Sequence, residues 1–288
     1  MGRSLLNSVA SGTRVVAQGL FAALFPSDCR LCSVPLTNIS RLPVCQSCLR
    51  KITPISGATC DVCGEGLNDR ASHLQAELCL ACREAPPQFT KAVAYGAYDG
   101  ELRELIHLLK YEQVVPAADV LGRMLAEAIQ KLGVNSEPIL VIPVPLHRSK
   151  RHQRGFNQAE LIVHAALKRD RVPHAQLVTN VLERTRPTTS QIGLTRPQRT
   201  ENMRGAFRVK HLNRVEGQQV LLVDDVLTTG TTANECARVL RKAGAGKVWV
   251  ATVARTLKEN SAKVGVDSEL RKIAGGEMFG FAGTAKVS

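Results

Sequence analysis

Eight of the nine cysteines fall between Cys29 and Cys82, in four Cys-x-x-Cys pairs: Cys29/Cys32, Cys45/Cys48, Cys60/Cys63 and Cys79/Cys82. No other feature restricts the chain as strongly. Two-residue spacing lets both thiolates of a tight knuckle reach one tetrahedral ion, and two knuckles complete the four sulfurs of a closed structural zinc site. Intervals of 12 and 15 residues inside the successive quartets are near zinc-ribbon spacing, so the segment accommodates two Zn²⁺ ions. Sequential pairing of the knuckles closes shorter loops than interleaved pairing and is preferred, with interleaving left open. A disulfide framework or a lone redox pair fits less well, because a cytoplasm keeps thiols reduced and four repeated knuckles are not one redox motif. With few large apolar residues here, metal binding must supply much of the folding free energy. Four thiolates leave no open position, so the sites read as structural. Cys236 stands alone in a helical pattern and reads as a small buried hydrophobe.

Residues 1–28 precede the knuckles and are expected to form an amphipathic helix, with Leu5, Leu6, Val9, Val16, Leu20 and Leu24 on one side. The apolar run 15–25 is interrupted by Gln18 and Gly19 and ends without a small-x-small cleavage site, so neither a membrane span nor a secretory leader is expected and the address is taken as cytoplasmic. The knuckles define a module over 29–90, closed by Pro86-Pro87. A larger unit is expected over 91–260, and a poorly ordered tail over 261–288.

In the larger unit, apolar runs at 139–144, 220–223 and 247–253 read as buried strands, and 102–109, 120–129, 159–167 and 231–243 read as helices. Alternation of this kind implies an α/β fold with a parallel sheet covered on both faces. The run Val220-Leu221-Leu222-Val223-Asp224-Asp225-Val226-Leu227 leads into Thr228-Thr229-Gly230-Thr231-Thr232 and a helix start. Such a loop turns backbone N–H groups and a helix dipole toward an anion, with hydroxyls adding donors and Gly230 allowing close approach. Two carboxylates beside it would repel a second phosphate but accept hydrogen bonds from ribose hydroxyls. The combination fits a sugar phosphate. The order of glycines and lysine matches neither a nucleotide-hydrolase loop nor a dinucleotide fold.

This segment resembles the 5-phosphoribosyl 1-diphosphate signature of type I phosphoribosyltransferases. Together with Leu109-Lys110-Tyr111, Pro143-Val144-Pro145, Arg154-Gly155-Phe156-Asn157-Gln158, Thr189-Ser190-Gln191-Ile192-Gly193-Leu194 and the run from Arg199 through Phe207, it is similar to the ComF family, whose double zinc ribbon the four knuckles also resemble. The resemblance implies a type I phosphoribosyltransferase-like domain preceded by a small zinc-ribbon module. It further implies that Asp224 and Asp225 hold the ribose hydroxyls and that Thr228, Thr229, Gly230, Thr231 and Thr232 bind the 5′-phosphate. The diphosphate is expected over the loop after Val144, near Arg148, Lys150 and Arg151, with Mg²⁺ held mainly by substrate oxygens and waters. Residues 188–202 are expected to form a mobile lid carrying Arg196 and Arg199, with Arg186 beside it.

Net charge is +13, and residues 146–214 hold 15 Lys or Arg against four acids, an excess of 15 − 4 = +11. A field this local points to an anionic partner. Two functions stay open at this stage. One is phosphoribosyl transfer from 5-phosphoribosyl 1-diphosphate to an acceptor that no segment identifies. The other, implied by the family's link to natural competence, is non-catalytic handling of single-stranded DNA with DNA-uptake proteins as partners. A homodimer fits either function.

Overall fold

The computed structural model describes residues 27–36, 40–67, 77–134, 137–168, 172, 174–187 and 195–257. The helix expected before the knuckles, up to residue 26, the first part of the expected lid (188–194) and the expected tail lie outside the described residues.

In chain order, the knuckle region contributes two short helices, α1 (Gln46–Lys51) and α2 (Leu80–Glu84). The larger unit follows as β1 (Lys91–Ala97), α3 (Gly100–Tyr111), α4 (Ala117–Gln130) and β2 (Ile139–Pro143), then α5 (Arg148–Arg154), α6 (Gln158–Leu167), β3 (Ala175–Leu177) and β4 (Leu182–Arg184). It ends with α7 (Arg196–Met203), β5 (Phe207–Val209), β6 (Gln219–Leu227), α8 (Thr231–Lys242) and β7 (Val248–Arg255). Among the described residues, five parallel strands make one sheet in the order β1-β7-β6-β2-β3, and β4 and β5 pair as a separate antiparallel ribbon.

Both faces of the sheet are buried, which is why its strands read as nearly continuous apolar runs. One face packs against α3, α4 and α6 through Leu105, Leu121, Leu125 and Ile162. The other packs against α8 and the β4–β5 ribbon through Leu222, Val250, Cys236 and Phe207. Fully buried leucines in such a core each contribute about 2–5 kcal/mol against truncation to alanine. The knuckles divide between the two faces. Cys29, Leu42, Val44 and Cys48 join the first core, while Val62 and Cys63 pack on the second. The backbone of the knuckle region also covers the edge strand, with Ala92 N–H donating to Val62 O and Ile55 N–H to Tyr95 O, each at 2.7 Å. An edge covered in this way cannot pair with another chain there.

The structure differs from the sequence reading in three places. Strand β6 continues through Asp224 and Asp225 to Leu227, so the carboxylates project from within the ladder, where Asp224 is in register with Thr252. Residues 148–154 form a helix, not a loop, ended by Gly155 at φ 77°, a left-handed conformation that glycine adopts at no steric cost. Within the expected lid, 196–203 is also helical, and Gln198 Oε1 accepts the Thr195 N–H at 2.8 Å in a capping arrangement.

Candidate functional site

From β2 the chain moves outward to β3 and then returns to β6 on the opposite side, so the carboxyl ends of β2 and β6 adjoin at the point of reversal. Open α/β sheets bind their ligands there. The two ends are tied by Val144 N–H donating to Val223 O at 2.8 Å. Asn157 holds the next turn: its Oδ1 accepts the Ala159 N–H at 3.1 Å, capping α6, and its Nδ2 donates to Val144 O at 3.0 Å. The buried Asn157 and Gln158 therefore form the entry to a helix.

Asp224 and Asp225 meet here, with the Asp225 N–H donating to Asp224 Oδ1 at 2.9 Å. Asp225 Oδ2 pairs with Lys110 Nζ at 2.9 Å, and the two side chains are only 10% and 14% exposed. Burial works against the Lys110 ammonium, but Asp225, reinforced by Asp224 and Tyr98, holds its pKa above the usual lysine range. Partial burial and the charge of Asp225 instead push Asp224 up to about 7. One carboxylate is thus engaged in a buried ion pair while its neighbour, Asp224, titrates near neutrality.

The next strand-to-helix connection carries the threonine-glycine loop that the sequence marks as a candidate phosphate site. Gly230 caps α8 at φ 76°, where a side chain would be strained, and the Asn234 N–H donates to Gly230 O at 2.8 Å as the first helical turn closes. Thr229 and Thr231 hydroxyls are hydrogen-bonded at 2.8 Å. A helix N-terminus with clustered hydroxyls after a strand that carries two carboxylates suits a phosphate joined to a diol. Arg199 and Thr200 of α7 border the same cleft as Thr228–Thr231. Thr232 follows inside the first turn. The side chain of Arg196 lies outside the described residues.

Among the cations expected to face the diphosphate, Lys150 lies in a field of other positive charges. Its pKa is lowered by burial and by Arg184, Arg154 and Lys110 around it. That clustering of positive charge is the setting a polyanion would relieve. Arg148 instead reaches Glu183 at 3.4 Å, and Arg151 reaches Glu160 at 3.4 Å. Arg186 donates to the carbonyls of Asn202 and Arg204 at 3.0 and 2.7 Å, closing the end of α7. Much of the basic segment is likewise engaged, since Glu183 also pairs with Arg208 and Lys210 at 2.9 and 3.4 Å.

Sequence reasoning gave no role to Lys110, Arg184 or Tyr98. Lys110 lies four residues after Ile106, on the buried side of α3, and a lysine in that register is a signal for a buried partner. Arg184 stands over the Phe207 ring at 5.5 Å and within the field of Asp224. Tyr98 bonds His107 Nε2 at 2.9 Å beside Lys110 and Asp225.

The eight knuckle cysteines form two clusters, Cys29/Cys32/Cys45/Cys48 and Cys60/Cys63/Cys79/Cys82, each with its sulfurs within 4.8 Å of one another. Pairing is therefore sequential. A tetrahedral zinc ion with Zn–S distances of about 2.3 Å sets its sulfurs about 3.8 Å apart. The separations Cys32–Cys45, Cys29–Cys48 and Cys63–Cys79 are 3.7, 4.0 and 3.6 Å, so both clusters fit structural zinc. Burial opposes ionisation of Cys29 and Cys60, yet knuckle N–H groups, Cys45 foremost for Cys29 and Cys63 for Cys60, hold these thiols down to about 6 and about 7. Each cluster thus keeps a thiolate near neutral pH, which favours metal capture.

Among the described residues no helix is long and apolar enough to cross a membrane. Two family models match the chain, a double zinc ribbon domain over residues 20–83 and a phosphoribosyl transferase domain over 159–287. The chain is 34% identical over 236 residues to DNA utilization protein YhgH of Escherichia coli K12, covering 81% of this chain and 98% of that protein. It is 31% identical over 222 residues to competence protein F of Haemophilus influenzae, covering 76% and 93%, and 26% identical over 203 residues to competence protein ComFC of Bacillus subtilis, covering 70% and 79%. With paired cysteine clusters, a parallel sheet and a carboxylate-threonine loop in this order, the chain belongs to the ComF family of double-zinc-ribbon proteins with a phosphoribosyltransferase-type domain.

Proposed function

We propose that this chain binds 5-phosphoribosyl 1-diphosphate with Mg²⁺ and transfers its phosphoribosyl group to an acceptor. The observation that carries this reading is the continuity of β6, the threonine loop and α8, which sets two carboxylates, one of them salt-bridged, just ahead of a helix N-terminus. The 5′-phosphate lies on the loop N–H groups and hydroxyls of Thr228 to Thr232, and the ribose hydroxyls donate to Asp224 and Asp225. Lys150, with Arg184 behind it, faces the diphosphate. Mg²⁺ bound together with the substrate would supply neutralisation of the leaving group's charge.

In the transfer, the bond between C1′ and the diphosphate oxygen breaks and its electron pair leaves with diphosphate. A lone pair on the acceptor forms the new bond to C1′, and the acceptor's proton passes to water. The developing positive charge at C1′ is stabilised by the two carboxylates. Lys110 holds Asp225 in place through their ion pair. A thermal-shift series tests this directly: 5-phosphoribosyl 1-diphosphate with Mg²⁺ should raise the unfolding temperature more than ribose 5-phosphate or diphosphate alone. No shift with any of the three contradicts it.

A second reading is single-stranded DNA handling, favoured by the names of the YhgH and competence relatives and by the 15 cations of residues 146–214. Affinity from several phosphate contacts should fall steeply with salt, whereas binding of a small substrate in a preformed site should change little.

A further inference from the structure

A cleft of about 500 Å³ is lined by Thr228–Thr231 but by neither Asp224 nor Asp225, so it lies on the side of the threonine-glycine loop away from the carboxylates. The second zinc ribbon bounds it as well, and Pro86, Pro87, Phe89 and Leu257 give it apolar surface. The volume lies within the range of small-molecule sites, about 300–1,000 Å³, which combine apolar walls with a few polar groups. A lone phosphate on the loop, the size of a few waters at about 30 Å³ each, leaves most of it unfilled.

Two cationic side chains line the same space. Arg199 of α7, with Thr200 next to it, borders the cleft together with the loop. Arg255 closes β7, is 4% exposed, and its Nη2 donates to Glu65 at 2.9 Å and to Cys63 Sγ at 3.5 Å, fastening the ribbon to the sheet. Its Nε–H is buried with no hydrogen-bond partner, although Arg255 lines the cleft. A buried donor without a partner is costly, and an acceptor on a ligand relieves that cost. The Gln88 N–H donates to Asn234 Oδ1 at 2.6 Å, fixing the ribbon's exit segment to α8, so the cleft is built before any ligand enters.

We propose that the cleft binds the nucleoside half of a ribose 5-phosphate whose phosphate is joined, through a second phosphate, to a nucleoside; ADP-ribose is the simplest ligand of this class. The proposal rests on the sugar-phosphate reading of Asp224 to Thr232 and extends it past the phosphate. The free ribose sets its diol on Asp224 and Asp225, and the first phosphate sits on the loop. The second phosphate meets Arg199, because a helix N-terminus and a guanidinium together suit two adjoining anions. The base lies between the apolar walls, where a ring nitrogen or carbonyl accepts the Arg255 Nε–H. An alkyl group there would leave that donor unmet, which favours a nucleoside over a lipid. A base attached at C1′ does not reach this cleft, since C1′ lies at the carboxylate end of the sugar. Binding makes and breaks no covalent bond.

Calorimetric titration of the full zinc-loaded chain with ribose 5-phosphate, AMP and ADP-ribose, each with Mg²⁺, tests it. ADP-ribose should bind about tenfold or more tighter than ribose 5-phosphate, the equivalent of one buried charge-assisted hydrogen bond gained. Ala85→Trp, at an exposed wall position, should abolish that gain and leave binding of ribose 5-phosphate and AMP unchanged. The proposal is overturned if ADP-ribose binds no tighter than ribose 5-phosphate, if the gain persists in Ala85→Trp, or if Ala85→Trp weakens AMP equally. A thermal shift with 5-phosphoribosyl 1-diphosphate but no gain for ADP-ribose removes the cleft assignment alone. A gain that Ala85→Trp abolishes, with no such shift, keeps the cleft site and removes the transfer reading alone.

Discussion

The two zinc ribbons use the same ligands at similar spacing and are held in different ways. The first packs α1 against α3 and reaches it through surface pairs, Lys51–Glu101 at 3.1 Å and Arg30–Glu112 at 3.6 Å, with Cys32 exposed. The second is joined to the sheet by a backbone hydrogen bond from Ala92 to Val62 and by the buried Arg255–Glu65 pair at 2.9 Å. The first therefore supports α3 from behind, and α3 carries Lys110 to Asp225. The second forms a wall of the cleft that Thr228–Thr231 also line. Identical coordination chemistry does not fix a ribbon's role, which depends on the face it covers and the buried groups it meets.

The largest expected effect separates the ribbons directly. Cys60→Ser and Cys29→Ser should each lose one zinc and substantial stability, since zinc supplies folding free energy on the order of 10 kcal/mol in small modules. Only Cys60→Ser should also lose response to 5-phosphoribosyl 1-diphosphate at a temperature where both variants remain folded by circular dichroism. Equal loss in both variants would erase the distinction.

Lys110→Met probes the indirect route from the first ribbon. It leaves Asp225 buried without its cation, and urea unfolding should show destabilisation of about 3–5 kcal/mol. Gly230→Ala tests the loop that the second ribbon borders. Forcing alanine into a left-handed backbone should cost about 1–3 kcal/mol by chemical denaturation and weaken phosphate binding, with zinc content unchanged.

A pH series gives a smaller effect, tied to the carboxylates alone. Asp224 has its pKa raised in the folded state, so its contribution to stability is fully present below about pH 4 and is lost as pH rises through about 7. Ligand binding needs the ionised form to accept ribose hydroxyls, so affinity for 5-phosphoribosyl 1-diphosphate should instead rise between pH 6 and 8. Asp224→Asn should flatten that rise. The smallest effect is predicted for Arg30→Ala, which removes one exposed pair on the first ribbon and should leave the unfolding midpoint within replicate error.

What could be read from the sequence was local. Knuckle spacing and loop length gave the sequential cysteine clusters, and the apolar run before Asp224 with the threonine-glycine turn gave the strand, loop and helix of the candidate site. Strand β1 escaped because Ala92, Ala94, Gly96 and Ala97 carry little strand propensity and become a strand only between β7 and the ribbon backbone. Helix α5 escaped because proline, histidine and arginine around it resemble a turn. The pairing of Arg148 with Glu183 and of Arg151 with Glu160 was also not legible, because these partners are brought together by the fold. Lys110 and Arg255 escaped for the converse reason. Their roles arise from single buried contacts between distant segments, which periodicity does not encode.

The central claim is that the Asp224–Asp225 pair and the Thr228–Thr232 loop form one sugar-phosphate site. Calorimetric titration of the zinc-loaded chain with 5-phosphoribosyl 1-diphosphate and Mg²⁺, run beside an Asp224→Asn, Asp225→Asn variant of matched zinc content and fold, tests it most directly. Saturable binding by the native chain that the variant loses is the predicted result. A folded native chain that shows no binding, or a variant that binds equally well, would contradict it.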